Sequence, residues 1–202
     1  THKTFTHKMT KTVQKYYISY NTVHKVCQQG ASRIIKDNFQ PDVILAVGGG
    51  GFVPARMLRT HLRVPMKAVS VELYDDKTDK INEEGVKTIQ WVGEHDVRGK
   101  NVLIVDEIDD TRTTLCHCVR EVSKMGPNRV GVFVLHNKKK AKRECGHWTD
   151  TGFEQEKVEN DVNVDYYSAG EEIDDVWIVY PWESTDIDDH EVLSANSSSP
   201  SS

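Results

Sequence analysis

With 202 residues and 37% hydrophobic content, the chain has enough apolar material for one substantial α/β core and no need of a second domain. Its 26 basic and 31 acidic residues leave a formal net charge of -5, which disfavours a generic polyanion binder such as a nucleic-acid coat protein, so a phosphate ligand would have to be held locally. No apolar run approaches the roughly 20 residues of a membrane span and the N-terminus lacks the apolar core of a secretory signal, so the expectation is a soluble, cytoplasmic protein with no membrane partner.

Residues 1–14 are rich in Thr, Lys and His without periodicity and read as a disordered leader or tag, with Met9 a candidate start. The domain is expected over residues 15–195. From Asn21, a plausible N-cap, Val23, Val26, Cys27, Ala31, Ile34 and Ile35 recur at helical spacing up to Asn38. The continuous apolar run at 43–47 predicts a strand covered on both faces, as in a parallel sheet. Glycines 48–51 end it. Pro54 stands where the next helix would begin, with Ala55, Met57, Leu58 and Leu62 on its buried side.

Residues 66–73 predict another strand, followed by a charged stretch at 75–85 of a length more often functional than decorative, although a plain disordered connection explains it too. After a strand at 88–92, residues 102–105 predict a second fully buried strand that runs straight into acidic residues. A helix follows with Leu115, Cys118, Val119 and Val122 on one face, stopped near Gly126 and Pro127, and residues 129–135 return as a strand. This alternation predicts a doubly wound, mainly parallel α/β sheet, whose ligands bind beyond the carboxyl ends of its strands. The Ser-rich residues 196–202 read as a disordered tail. Cys27, Cys116, Cys118 and Cys145 lack paired metal-ligand spacing and are expected to be reduced thiols.

Chemistry concentrates in residues 102–115, VLIVDEIDDTRTTL. Asp106 and Glu107 can accept from ribose hydroxyls or from magnesium-bound water. The turn made by Asp110, Thr111, Arg112, Thr113 and Thr114 would direct backbone N–H groups and hydroxyls at a phosphate on the positive end of a helix. Carboxylates beside such a turn would repel a bare phosphate, and a magnesium ion between them resolves the conflict. The blander reading is that these acids and threonines only cap the helix. Gly48, Gly49, Gly50 and Gly51, between a buried strand and a helix, suit a pyrophosphate cradle, though a tight turn would use them equally well. Trp177 offers a flat face for a base and the backbone of Ile178 a polar edge, while a core tryptophan is the commoner outcome in a strand. The lysine run that begins at Lys138 could be a nucleic-acid patch or simply a solvated loop.

These residues closely resemble the phosphoribosyl pyrophosphate motif of type I phosphoribosyltransferases. The phrases GGGGFVPAR, VLIVDEIDDTRTT, FVLHNK and YPWESTD are similar to those of the fungal hypoxanthine-guanine and xanthine phosphoribosyltransferases, over residues 17–186. The resemblance implies a small hood subdomain from segments near 136–190, purine salvage on 6-oxopurine bases, magnesium dependence and a homodimer or homotetramer. It assigns Asp106 and Glu107 to the ribose hydroxyls and the metal, Asp110 to the purine N7 as acid/base, and residues 111–114 to the 5-phosphate. The glycine loop and Tyr74, the latter on a loop that closes over the reacting centre, go to the pyrophosphate. Trp177, Ile178 and Lys138 go to the base and Glu183 to a second metal position. Arg112 stands where many members carry Gly, and Gly49 where a bacterial-type member carries Arg or Lys. A regulatory protein that keeps the pocket without catalysis is the alternative.

Overall fold

The structure, a computed structural model, describes residues 14–72, 74, 75, 80, 81, 86–143, 145, 147, 148, 163–168 and 172–197. In chain order its strands are β1 (Lys15–Tyr17), β2 (Val43–Gly48), β3 (Met66–Glu72), β4 (Tyr74–Asp75), β5 (Lys80–Ile81) and β6 (Lys87–Gln90). There follow β7 (Asn101–Asp109), β8 (Arg129–Lys138), β9 (His147–Trp148), β10 (Asn163–Ser168), β11 (Glu172–Ile173) and β12 (Trp177–Val179). The α-helices are α1 (Tyr20–Lys36), α2 (Phe52–Leu62), α3 (Thr113–Ser123) and α4 (Ile187–Asn196).

The main sheet runs β6-β3-β2-β7-β8-β10-β9, with β11 also paired to β8, and every pairing is parallel except that of β6 with β3. Period-two alternation sorts the apolar residues of the central strands onto its two faces. Ile44, Ala46, Leu103 and Val105 join Val23, Ile34 and Leu58 of α1 and α2. Val43, Leu45, Val47, Val102 and Ile104 join Leu115, Val119 and Val122 of α3. Helices on both faces explain why these strands read as unbroken apolar runs. From β2 the chain crosses through α2 to β3 on one side, whereas from β7 it crosses through α3 to β8 on the other. The winding therefore reverses between β2 and β7, and a doubly wound sheet opens its ligand crevice at the strand ends of such a reversal.

Several boundaries shift from those the sequence suggests. Helix α1 starts earlier than an Asn21 cap implies, because the Ser19 hydroxyl accepts from the Thr22 N–H at 3.1 Å and occupies the cap. Strand β7 continues through Asp109, so its acids are strand residues rather than a loop beyond it. The tail does not begin at 196: α4 runs through Asn196, and Ser197 accepts from Tyr17 N–H at 3.3 Å. The expectation of reduced thiols is corrected at one pair. Cys116 and Cys145 form a disulfide, because the return of the chain after β8 sets their Cα atoms 5.6 Å apart despite a separation of 29 positions. Cys27 and Cys118 are free and buried. Residues 1–13, most of 75–85 and residues 198–202 lie outside the described part of the chain. No helix among the described residues is long and apolar enough to cross a membrane.

Candidate active site

A cavity of about 760 Å³ opens at the carboxyl ends of β2 and β7. Gly48, Gly49, Gly50, Asp106, Glu107, Asp110, Thr111, Arg112, Thr113, Thr114, Lys138, Trp177, Ile178 and Glu183 all line it. Motifs from Gly48 to Glu183, far apart in sequence, thus meet in one place. Gly51 stands behind the wall: a Cβ there would come within 2.4 Å of the Val105 carbonyl and 2.5 Å of the Val47 carbonyl, so glycine is needed for the loop to pack on β7. Tyr74 belongs to the β4–β5 hairpin, and its side chain lies outside the described residues.

The glycine loop and the acids fit into each other. At Gly50 a Cβ would stand 2.0 Å from the Glu107 carboxyl carbon, whereas at Gly49 it would meet nothing within 4 Å. Gly50 is therefore small to admit Glu107, and Gly49 faces open space. Asp106 is buried, and burial together with the neighbouring Glu107 charge pushes its carboxyl well above the usual range. Glu107 Oε2 is buried with no hydrogen-bond partner among the described residues. Glu183 also titrates high, chiefly from burial, while its carboxylate accepts from the Tyr180 N–H at 3.3 Å. Beneath them Tyr180 donates its hydroxyl to the Glu107 carbonyl at 3.0 Å and meets His136 Nδ1 at 2.9 Å. Burial pushes the His136 pKa down to about 4, so this histidine is neutral at ordinary pH and serves as a support.

The threonine turn enters α3 at a residue with left-handed backbone. Arg112 has φ 63° and ψ 4°, a conformation that costs a non-glycine residue about 1–2 kcal/mol. A glycine would take it freely, which accounts for the substitution noted in the motif. Its side chain is 2% exposed and turns into the protein, where Nε and Nη2 both donate to Asp109 Oδ2 at 2.9 and 2.8 Å. Arg112 thus offers the cavity its backbone and keeps its charge for Asp109. The Cys116 N–H bonds to the Arg112 carbonyl at 2.8 Å, so the N–H groups of 113–115, in the first turn, have no acceptor within the helix and are available to an anion.

Asp110 is 41% exposed, with Lys140 Nζ 2.6 Å and Lys138 Nζ 3.4 Å from its Oδ1. Lys140 and Asp175, which meet at 3.1 Å, were missed in the sequence, although Lys138 and Lys140 have the spacing that sends alternate residues of an extended chain the same way. Lys139 points to Asp174 instead. Trp177 is 60% exposed at the cavity rim, which excludes the core alternative. In the β1–β12 pair, Trp177 N–H donates to the Gln14 carbonyl and the Val179 carbonyl accepts from the Ile18 N–H. Alternate residues of a strand send their polar groups to opposite sides, so the Ile178 backbone is directed away from β1.

A glycine-lined loop and a hydroxyl-rich helix start thus flank paired carboxylates at a winding reversal, the candidate site of this doubly wound fold. Residues 19–171 match the phosphoribosyl transferase domain. The chain is 42% identical to hypoxanthine-guanine phosphoribosyltransferase of Saccharomyces cerevisiae, over 86% of its own length and 87% of that protein. It is 36% identical to xanthine phosphoribosyltransferase 1 of the same yeast, over 89% and 95% respectively. Among solved structures, a hypothetical protein from Neisseria gonorrhoeae with bound ppGpp superposes with a TM-score of 0.73 at 39% identity, covering 91% of this chain and 97% of that one. The chain belongs to the phosphoribosyl transferase family.

Proposed function

We propose that this protein transfers the phosphoribosyl group of phosphoribosyl pyrophosphate to a free 6-oxopurine (hypoxanthine, guanine or xanthine), giving the nucleoside 5'-monophosphate and pyrophosphate. The observation that carries the reading is that one cavity holds an anion-binding helix start, buried carboxylates, a glycine loop and an exposed tryptophan together. In this reading the 111–114 turn seats the 5-phosphate through amides and hydroxyls, with Thr111 and Thr113 hydroxyls 3.0 Å apart. Asp106 and Glu107 hold the ribose hydroxyls, and the glycine loop receives the pyrophosphate. Trp177 stacks on the base while the Ile178 backbone reads its edge. As the C1–pyrophosphate bond breaks, N9 attacks the oxocarbenium-like carbon, and Asp110 takes or returns the N7 proton, a role typically worth about 10²–10⁴-fold.

The donor set suits magnesium, since buried carboxylate oxygens lacking a cationic partner are hard ligands for a hard ion. Among the described residues no three metal-ligating side chains cluster, so one or two carboxylates with substrate oxygens and water would make up the shell, as is usual for this ion. When bound, magnesium would neutralise the departing pyrophosphate. The homodimer or homotetramer belongs to the same proposal and is open to light scattering.

The test is a base panel: hypoxanthine, guanine, xanthine and adenine with phosphoribosyl pyrophosphate and magnesium. The 6-oxopurines should react and adenine should fail, because Lys138 donating to the 6-oxo oxygen would meet an amino group instead. A site built to bond one group rejects the analogue lacking it by up to about 10⁴–10⁵. Lys138→Ala should lose hypoxanthine activity and narrow that gap, with Lys139→Ala as a control. Comparable efficiency with adenine would overturn the base assignment, and no turnover with any base would leave the regulatory alternative.

A further inference from the structure

The cavity shows only half of the phosphate turn; the other half is a buried polar cluster on its far side. Asp109 is fully buried, and one of its oxygens, Oδ2, accepts three bonds: two from the Arg112 guanidinium and one from the Tyr166 hydroxyl at 2.8 Å. The Tyr166 ring lies under the same guanidinium, 5.0 Å from its carbon, so β10 holds Arg112 by both its ring and its hydroxyl. Lys142 completes the set. Its ammonium donates to the carbonyls of Asp109 and Asp110 at 2.5 and 2.8 Å and stands 3.4 Å from Asp109 Oδ1. The next residue, Arg143, donates its N–H to the Thr111 carbonyl at 2.9 Å. The turn is therefore tied on its carbonyl side at three successive residues, 109 to 111, and pinned at the fourth by a side chain.

A left-handed conformation at a non-glycine residue persists only where its surroundings impose it. Here the anchored side chain does so: with the guanidinium fixed on Asp109, the backbone at Arg112 is held where α3 begins and its first-turn amides face the cavity. An oxyanion seat of this kind works through donors that need not reorganise when the anion arrives.

We propose that the Arg112 side chain is a positioning group, which sets the 5-phosphate seat from behind through its buried pairing with Asp109 and Tyr166, with Lys142 on the far side of Asp109, and does not itself touch the ligand. The inference rests on the reading of the 111–114 turn as the phosphate seat. Its signature is selectivity, since loosening the turn should weaken ligands that carry the 5-phosphate and spare those that lack it.

The experiment measures affinity for GMP and for guanosine by calorimetry, and the KM of phosphoribosyl pyrophosphate and of guanine, in four proteins. Wild type should prefer GMP to guanosine by at least tenfold; if it does not, the seat itself is misassigned and this inference falls with it, whatever the base panel shows. Arg112→Ala should lose at least about tenfold in GMP affinity and raise the KM of phosphoribosyl pyrophosphate in proportion, with guanosine affinity and the KM of guanine within twofold. Tyr166→Phe keeps the ring and removes one bond, so it should fold and lose about three- to tenfold in GMP affinity alone. The double variant Asp109→Leu with Arg112→Gly removes the stranded charge and supplies a residue that takes positive φ freely, so it should recover most of the GMP affinity lost in Arg112→Ala. A shift in melting temperature with unchanged GMP affinity in Tyr166→Phe and Arg112→Ala would make the cluster merely structural and overturn the proposal. Equal losses for GMP and guanosine would overturn it as well.

Discussion

Two carboxylates three positions apart on β7 have opposite fates. Asp109 is buried with its charge answered by the chain itself: Arg112 and Tyr166 donate to Oδ2, and the Lys142 ammonium stands 3.4 Å from Oδ1, which accepts no hydrogen bond among the described residues. Asp106 is also buried, yet the charge beside it is Glu107, and Glu107 Oε2 has no hydrogen-bond partner among the described residues. A buried charge without a partner costs several kcal/mol unless it takes up a proton or a ligand. The difference teaches how to separate a carboxylate that holds the fold from one kept for a ligand: ask whether the protein has already supplied the positive charge.

The largest effect should come on the ligand side. Asp110→Asn keeps size and hydrogen bonding but cannot accept a proton, so turnover should fall by at least tenfold, toward the 10²–10⁴ range typical of a lost acid/base. Substrate affinity and unfolding midpoint should hardly move. Unchanged turnover would remove Asp110 from the chemistry.

On the fold side, Asp109→Asn strands the Arg112 charge in the interior and should cost about 3–5 kcal/mol, measured as a lowered urea midpoint at constant slope. A loss below about 1 kcal/mol would show that Asp109 is not the fixed half of the comparison.

The smallest effect on stability has the opposite sign. Asp106→Asn with Glu107→Gln should weaken phosphoribosyl pyrophosphate binding in calorimetry while leaving the ligand-free protein as stable as wild type or more so, by on the order of 1 kcal/mol. Because the folded-state pKa of Asp106 is raised, its favourable contribution is present below the unfolded value and is lost as pH rises through the folded one. The variant's advantage should therefore be greatest at neutral pH and shrink toward pH 4. Magnesium should raise the melting temperature of wild type and not of the variant. A variant less stable than wild type at neutral pH would mean that the Asp106 charge is held by the fold through more than the Glu107 N–H, from which its Oδ1 accepts at 2.9 Å.

Much of this site was legible before the fold, because it depends on local chemistry. Residues 43–47 and 102–105 read as buried strands since both faces of a central parallel strand meet helices, and glycines and acids at their ends marked the ligand edge. Local pattern failed where distant chain closed on the site. Nothing in the spacing of Asp109 and Tyr166, or of Cys116 and Cys145, announces that they meet, because those contacts depend on the return path after β8. Lys140 was hidden in a run of lysines whose directions only the backbone separates: Lys138 and Lys140 turn to Asp110, Lys139 to Asp174.

By itself, the sequence determined the winding of the sheet, the edge at which the cavity opens and the residue types gathered there, since periodicity and turn chemistry act over a few neighbouring positions. Only the tertiary structure decided which charges the protein keeps for itself. Asp106 and Asp109 are the same residue on the same strand; Arg112, three positions on, turns its guanidinium back onto Asp109, while β10 brings the Tyr166 hydroxyl to 2.8 Å and the segment after β8 sets the Lys142 ammonium 3.4 Å away, and these last two contacts are a matter of long-range packing that no local pattern encodes.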